Sequence, residues 1–154
     1  MLAVSADVCQ SGRVPDGPRP DYEALLAFRT ALRRFHHWSE EQARAVGLTH
    51  AQHQLLLAVK GHPDERGPTI GDVASYLLLR HHSAVELINR AQAGGFVERE
   101  RDTDDARVVR LHLTEQGSSC IEQLAQLHVD ELLQLAPLLR HVIDANSLPR
   151  VDRL

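Results

Sequence analysis

The chain has 154 residues, 43% hydrophobic and 25% charged, with a formal net charge of −4 and two cysteines. That length suits one compact unit with a helical extension and a buried core, and the composition is that of an ordinary soluble globular protein. Cys9 and Cys120 make neither a disulfide framework nor a zinc spacing. No apolar run approaches a membrane span, and the opening MLAVSADVCQSG lacks a basic stretch followed by a long apolar core, so a cytoplasmic location with no membrane partner is expected.

Residues 1–20 carry Gly12, Pro15, Gly17, Pro18 and Pro20 with no apolar period and read as a flexible tail. From Asp21, Leu25, Phe28, Leu32 and Phe35 recur at three and four residues, with Leu26 and Trp38 widening the stripe, which predicts a long first helix ending near Gly47. Thr49 and Gln52 match a capping box that opens a second helix through Leu55, Leu56 and Val59, stopped at Gly61-His62-Pro63. Thr69 and Asp72 repeat the pattern for a third helix with Ile70, Val73, Ala74 and Leu77 as buried positions. A fourth helix is expected over about His81 to Ala93, with Val85, Leu87, Ile88 and Ala91 or Gln92 as its apolar stripe and Gly94-Gly95 as its stop.

Two strands follow. In VERER the acids and arginines take opposite faces, Val109, Leu111 and Leu113 share one face of the return strand, and DTDDA between them is a turn-rich tip. Two strands alone are marginal, so the hairpin must lean on the helices. Thr114 is a natural cap for a last helix whose period runs from Ile121 through Leu124, Leu132 and Leu135 to about Ala145, with a break expected at Pro137.

Helix, short turn, helix, glycine stop and an Arg-tipped hairpin make up a winged helix-turn-helix, a shape that places one helix in a DNA groove. The expected fold is therefore mainly α, with a two-stranded β-wing and long N- and C-terminal dimerisation helices. Its divisions are a tail at 1–20, a dimerisation helix at 21–48, a DNA-binding domain at 49–114 and C-terminal dimerisation helices at 115–154. Charge permits the DNA reading without demanding it. Between Arg80 and Arg110 there are six arginines and six acids, with His81, His82 and His112 as further donors, while the remainder holds 11 basic and 15 acidic residues.

With this order in place, residues 21–145 resemble the MarR (multiple antibiotic resistance regulator) family of bacterial winged-helix transcription factors. The most specific stretch is GGFVERERDTDDARVVRLHLTEQG, with its Gly-apolar-Val strand entry, its Asp105-x-Arg107 wing tip and its Leu-Thr-x-x-Gly helix start. The resemblance implies a homodimer on a pseudo-palindromic operator, usually a repressor, released by a small and often phenolic ligand or by an oxidant. By position it assigns the recognition helix to residues 81–90 and a minor-groove contact to Arg107, with Asp105 holding that neighbourhood in shape. The chain departs from the family at Leu78-Leu79-Arg80-His81-His82-Ser83, where a Gly-Leu-Ser type turn is common, and at Glu86, where many members place a basic or small polar residue.

A guanidinium suits a narrow, electronegative minor groove, and the competing reading of Arg107 is a surface pair with Asp104 or Asp105. His81, His82 and Ser83 stand at a helix start where free N–H groups attract phosphate; alternatively Ser83 and Glu86 form a plain capping box. Glu86 either accepts from a cytosine amino group, caps, or selects by repulsion. Asn89 and Arg90 lie one turn on, Arg90 reaching phosphate or bracing the wing. Arg34, His36, His37, Trp38, His53 and Tyr76 are candidates for a cleft that takes a small aromatic acid, against the plainer reading of a core Trp38 and surface histidines.

Other classes find little support. There is no Gly-x-Ser-x-Gly, phosphate loop, His-Glu-x-x-His or Cys-x-x-Cys, so no catalytic residue and no cofactor is assigned. His36, His37, Glu40 and Glu41 lie close on one helix but name no ligand set, and no metal site is assigned. Redox sensing would use Cys9 or Cys120, and no nearby cation lowers the thiol pKa of Cys9. The rival kept open is a winged-helix protein that binds a ligand or partner without DNA.

Overall fold

The computed structural model describes residues 20–146. Five helices and one hairpin follow in the order α1 Tyr22–Ala45, α2 His50–Lys60, α3 Ile70–Tyr76, α4 His81–Ala93, β1 Val97–Arg101, β2 Val109–Leu113 and α5 Glu115–Asn146. The tail at 1–19, Cys9 within it, and residues 147–154 lie outside the described residues. Among those described, no helix is long and apolar enough to cross a membrane.

The helix starts follow from local chemistry. Asp21 accepts from the Ala24 N–H at 2.9 Å, and Thr49 with Gln52 and Thr69 with Asp72 each form a reciprocal capping box. Gly47 and Gly95 stand at φ 81° and 76°, just past α1 and α4, where a left-handed residue closes a helix most cheaply without a Cβ. Thr114 accepts from the Gly117 N–H at 3.0 Å and donates to the Gly95 carbonyl at 2.6 Å, so one hydroxyl caps α5 and ties it to the end of α4.

The core gathers Leu55, Leu56 and Val59 of α2, Val73 of α3, Ala84, Leu87, Ile88 and Ala91 of α4, Phe96, Val97, Leu111, and Ile121 with Leu124 of α5. Ile70, Ala74 and Leu77 pack against it partly buried, while Gln92 faces solvent. α1 runs antiparallel to α5: the Asp21 N–H meets the Asn146 side chain at one end, and the Cys120 thiol lies 4.0 Å from the Val46 carbonyl at the other. Cys120 is half-buried against the core.

The wing does lean on its neighbours. β1 and β2 pair antiparallel in the register Val97–Leu113, Arg99–Leu111 and Arg101–Val109. Pro68 and Thr69, entering α3, add a short third edge: Leu111 N–H donates to the Pro68 carbonyl at 3.0 Å, and Thr69 bridges Arg110.

One expectation and one alternative are corrected. α5 runs unbroken from Glu115 to Asn146 with Pro137 inside it. Proline removes one N–H bond and crowds one carbonyl, that of Leu133, and the flanking leucines and alanine are strong helix formers that carry the helix across the defect. Ser83 does not cap α4. The N-cap is Arg80, so Ser83 is the third helical residue and no Ser83–Glu86 box exists.

Candidate nucleic-acid interface

The wing tip is built on one buried carboxylate. Asp102, its side chain 3% exposed, accepts from Arg110 Nε at 2.7 Å and from the backbone N–H of Asp104 at 2.8 Å and of Asp105 at 3.2 Å. The Arg110 hydrogen bond, followed by that of Asp104, holds the Asp102 carboxyl down at about 2. Arg110 also donates to the Gly67 carbonyl at 3.0 Å. Arg66 spans Asp64 at 2.9 Å, Asp104 at 3.2 Å and Asp102 at 3.6 Å, and its hydrogen bonds likewise hold Asp64 at about 2. A lattice of alternating charges thus fixes the wing base to the α2–α3 loop.

Asp102, Arg110, Arg66 and Asp64 were not singled out from sequence, because their pairing depends on the hairpin register and on a loop some forty residues away. The nearest signal was Asp102 itself, which stands at the head of the tip where an Asx turn is favoured.

Arg107 projects from this base with its side chain 91% exposed. It reaches back to Asp105 in a two-pronged pair, Nε to Oδ1 at 3.0 Å and Nη2 to Oδ2 at 3.1 Å. Asp105 also accepts the Arg107 N–H at 3.0 Å. The pair with Arg107 lowers the Asp105 pKa and raises that of Arg107. Of the two readings of Arg107, the surface pair is the one observed, with Asp105 as its partner, and the side chain stays exposed while making it.

Across from the wing, α4 begins with Arg80, His81 and His82, all exposed and with no side-chain polar partner among the described residues. His81 and Arg107 line one groove of about 390 Å³, together with Thr69, Ile70, Gly71, Val108 and Val109. Ser83 is half-buried and Glu86 is exposed. Asn89 is occupied: Arg99 of β1 donates to its Oδ1 at 2.7 Å and to Gln92 Oε1 at 2.6 Å. Arg99, missed from sequence, is thus the residue that braces the wing against α4, and Arg90 points outward. The hairpin offers a signal for it, because Arg99 sits on the β1 face that looks toward the helices.

The six residues expected to line a ligand cleft do not gather as a set, and His36 is exposed with its ring edge-on to Phe35. Trp38 and His53 meet around His128 of α5, with ring centroids 5.0 and 4.6 Å away. Arg34 and His37 are exposed, His37 beside Glu41 at 3.4 Å, and Tyr76 bonds His62 Nδ1 at 2.8 Å instead. His128 Nδ1 lies 2.8 Å from the Leu124 carbonyl, which requires the proton on that nitrogen, so in the neutral ring Nε2 accepts from the buried Ser39 hydroxyl at 2.7 Å. His53 is 3% exposed, its Nδ1 has no hydrogen-bond partner, and burial, then His128 and His50, push its pKa down to about 4. Among the described residues no cluster of three histidine, cysteine or carboxylate side chains could hold a metal.

Residues 46–108 match the MarR family. An uncharacterized HTH-type transcriptional regulator of Bacillus subtilis, YsmB, is 38% identical over 56 residues, which is 36% of this chain and 38% of that protein's length. Among solved structures, the MarR family transcription regulator SP03579 is 26% identical, with a TM-score of 0.61 over 75% of this chain and 72% of its own. The Staphylococcus aureus MepR–DNA complex shares the fold, with a TM-score of 0.62 and 18% identity over 73% and 82%.

Proposed function

From the match of residues 46–108 to the MarR family and the likeness to a solved MarR family transcription regulator, we propose that this chain binds duplex DNA as a homodimer on a pseudo-palindromic operator and represses until a small ligand of aromatic type releases it. The observation that carries the DNA reading is the groove shared by His81 and Arg107, which places the start of α4 and the wing tip on one face. α4 enters the major groove, with His81, His82, Ser83, Glu86 and Arg90 toward bases and phosphates. Arg107 reaches the adjacent minor groove by exchanging its Asp105 partner, in whole or in part, for the groove's negative potential. MepR, which shares the fold, is a DNA-bound precedent.

Dimerisation is supported by apolar side chains that α1 and α5 leave outside the core. Tyr22 is 72% exposed, Leu26 63% and Leu133 62%, with Leu127, Leu132 and Leu139 also exposed. A patch of that kind on two long helices marks a protein contact. It divides the chain into a paired platform of α1 and α5, bounded near 48 and 115, and a DNA-binding unit between them. Two recognition helices must then lie about one DNA turn apart, ~34 Å. A ligand acts only through differential affinity for a dimer with another spacing. The orphaned His53 Nδ1, beside Trp38 and His128, is the group such a ligand would satisfy. A cytoplasmic location goes with this reading.

A gel shift against the DNA upstream of its own gene, across a salt series, tests it. Affinity should fall steeply with salt, and Arg107→Ala should weaken binding roughly tenfold with the dimer intact. Unchanged affinity for Arg107→Ala would remove the wing contact. No shift even at low salt would favour a winged helix that serves a ligand or partner without DNA.

A further inference from the structure

The turn between α3 and α4 breaks two local rules at once. Leu78 stands at φ 54°, the left-handed region in which a Cβ crowds the following carbonyl and which glycine and, less often, asparagine or aspartate occupy. Arg80 is the N-cap of α4 and makes no side-chain capping bond, so an N–H that serine or threonine would satisfy is left over. The chain follows the capping rule in full at α2 and α3.

Neither departure is recovered by packing. Leu78 is 92% exposed, and Arg80 is exposed with no ion-pair partner among the described residues. The backbone between them is held: Leu79 N–H donates to the Ala74 carbonyl at 2.8 Å and Leu78 N–H to that of Ser75 at 3.3 Å. The turn is therefore ordered, with its two least favoured side chains pointing outward. Choices that oppose local structure at exposed positions are expected where an outside contact compensates them.

We infer that this turn is a third DNA-contacting element beside the recognition helix and the wing, with Arg80 on a backbone phosphate and Leu78 against a thymine methyl at the groove edge. The inference rests on the DNA-binding reading above. Charge favours DNA over a protein partner, since Arg80, His81 and His82 follow in succession without a carboxylate in contact. Size favours it too. The exposed apolar surface of the turn is Leu78 with part of Leu79, far below the roughly 20 residues a side of a specific protein interface, yet matched to one methyl group.

The test uses the full chain and its upstream DNA in two forms, one with thymine and one with uracil throughout, which differ only by the C5 methyl. Wild type should bind the thymine form several-fold more tightly. Leu78→Gly should bind it roughly fivefold more weakly than wild type and show a smaller thymine–uracil difference. Equal affinity, or a difference of full size, overturns the contact. Leu78→Gly should also melt at the wild-type temperature or a few degrees above, because glycine adopts this φ freely; a lower melting temperature would mean that the leucine is kept for packing, and the inference falls. Arg80→Ser should raise the melting temperature while lowering the salt slope by about one, and an unchanged slope overturns the phosphate contact. If wild type binds neither DNA, the DNA-binding reading itself fails and takes the inference with it. If wild type binds and the variants match it, only the inference fails.

Discussion

The wing base and the start of α4 handle charge in opposite ways. At the base of the wing Arg66 and Arg110 are met by Asp64, Asp102 and Asp104, and at its tip Arg107 is met by Asp105. At the start of α4, Arg80, His81 and His82 have no such partner among the described residues. A paired guanidinium is held in position but must give up part of its pair to bind phosphate. An unpaired one is free to bind but is not pre-positioned. The difference suggests a division of labour in which the wing supplies fixed geometry and the helix start supplies available charge.

The largest test of the fixed half is Gly67→Ala. Gly67 has φ 81° and its Cβ would run into the Leu111 carbonyl oxygen on β2. Backbone strain and overpacking together should cost about 3 kcal/mol, read as a lower urea midpoint. A loss below about 1 kcal/mol would show that the wing sits loosely on the loop, and the contrast with α4 would collapse.

The next effect concerns pH. The Asp102 carboxyl is depressed to about 2 in the fold, chiefly by Arg110, and titrates near 4 when unfolded. Its ionised form is therefore favoured by folding. The stabilisation is complete above about pH 4 and disappears as pH falls toward 2. Asp102→Asn should melt a few degrees below wild type at pH 7 and at pH 5, with the gap closing between about pH 4 and pH 2. A gap that changed between pH 7 and pH 5 would assign the stabilisation to another group.

The same contrast explains what the sequence could reveal. The capping boxes, the Gly94-Gly95 stop and the alternation of β2 were legible because each is settled within four or five residues. Arg107 and Asp105 were singled out by the resemblance, and the pair they form, offered as the competing reading of Arg107, is local too, two positions apart. The Asp102–Arg110 pair needed the hairpin register, and the Ser39–His128 bond joins residues 89 apart. Neither leaves a local mark. Pro137 misled because a local rule was applied to a helix of 32 residues, in which one missing hydrogen bond is a small defect. The alternative capping reading of Ser83 failed because α4 starts at His81, where the helix was expected, which makes Ser83 its third residue.

The smallest expected effect joins the two halves. Arg99 is the one wing residue that reaches α4 through side-chain hydrogen bonds among the described residues, to Asn89 and Gln92. Both bonds are exposed, so Arg99→Gln should change stability by less than about 0.5 kcal/mol. If the wing's fixed geometry is passed to α4, the loss of this brace should still weaken DNA binding about two- to threefold with the salt slope unchanged, since no phosphate contact is removed. Tighter binding would mean that Arg99 keeps Asn89 away from DNA, and the brace would be a restraint on recognition. A lower salt slope would place Arg99 on the backbone itself, and the line between fixed and available charge would have to be redrawn through β1.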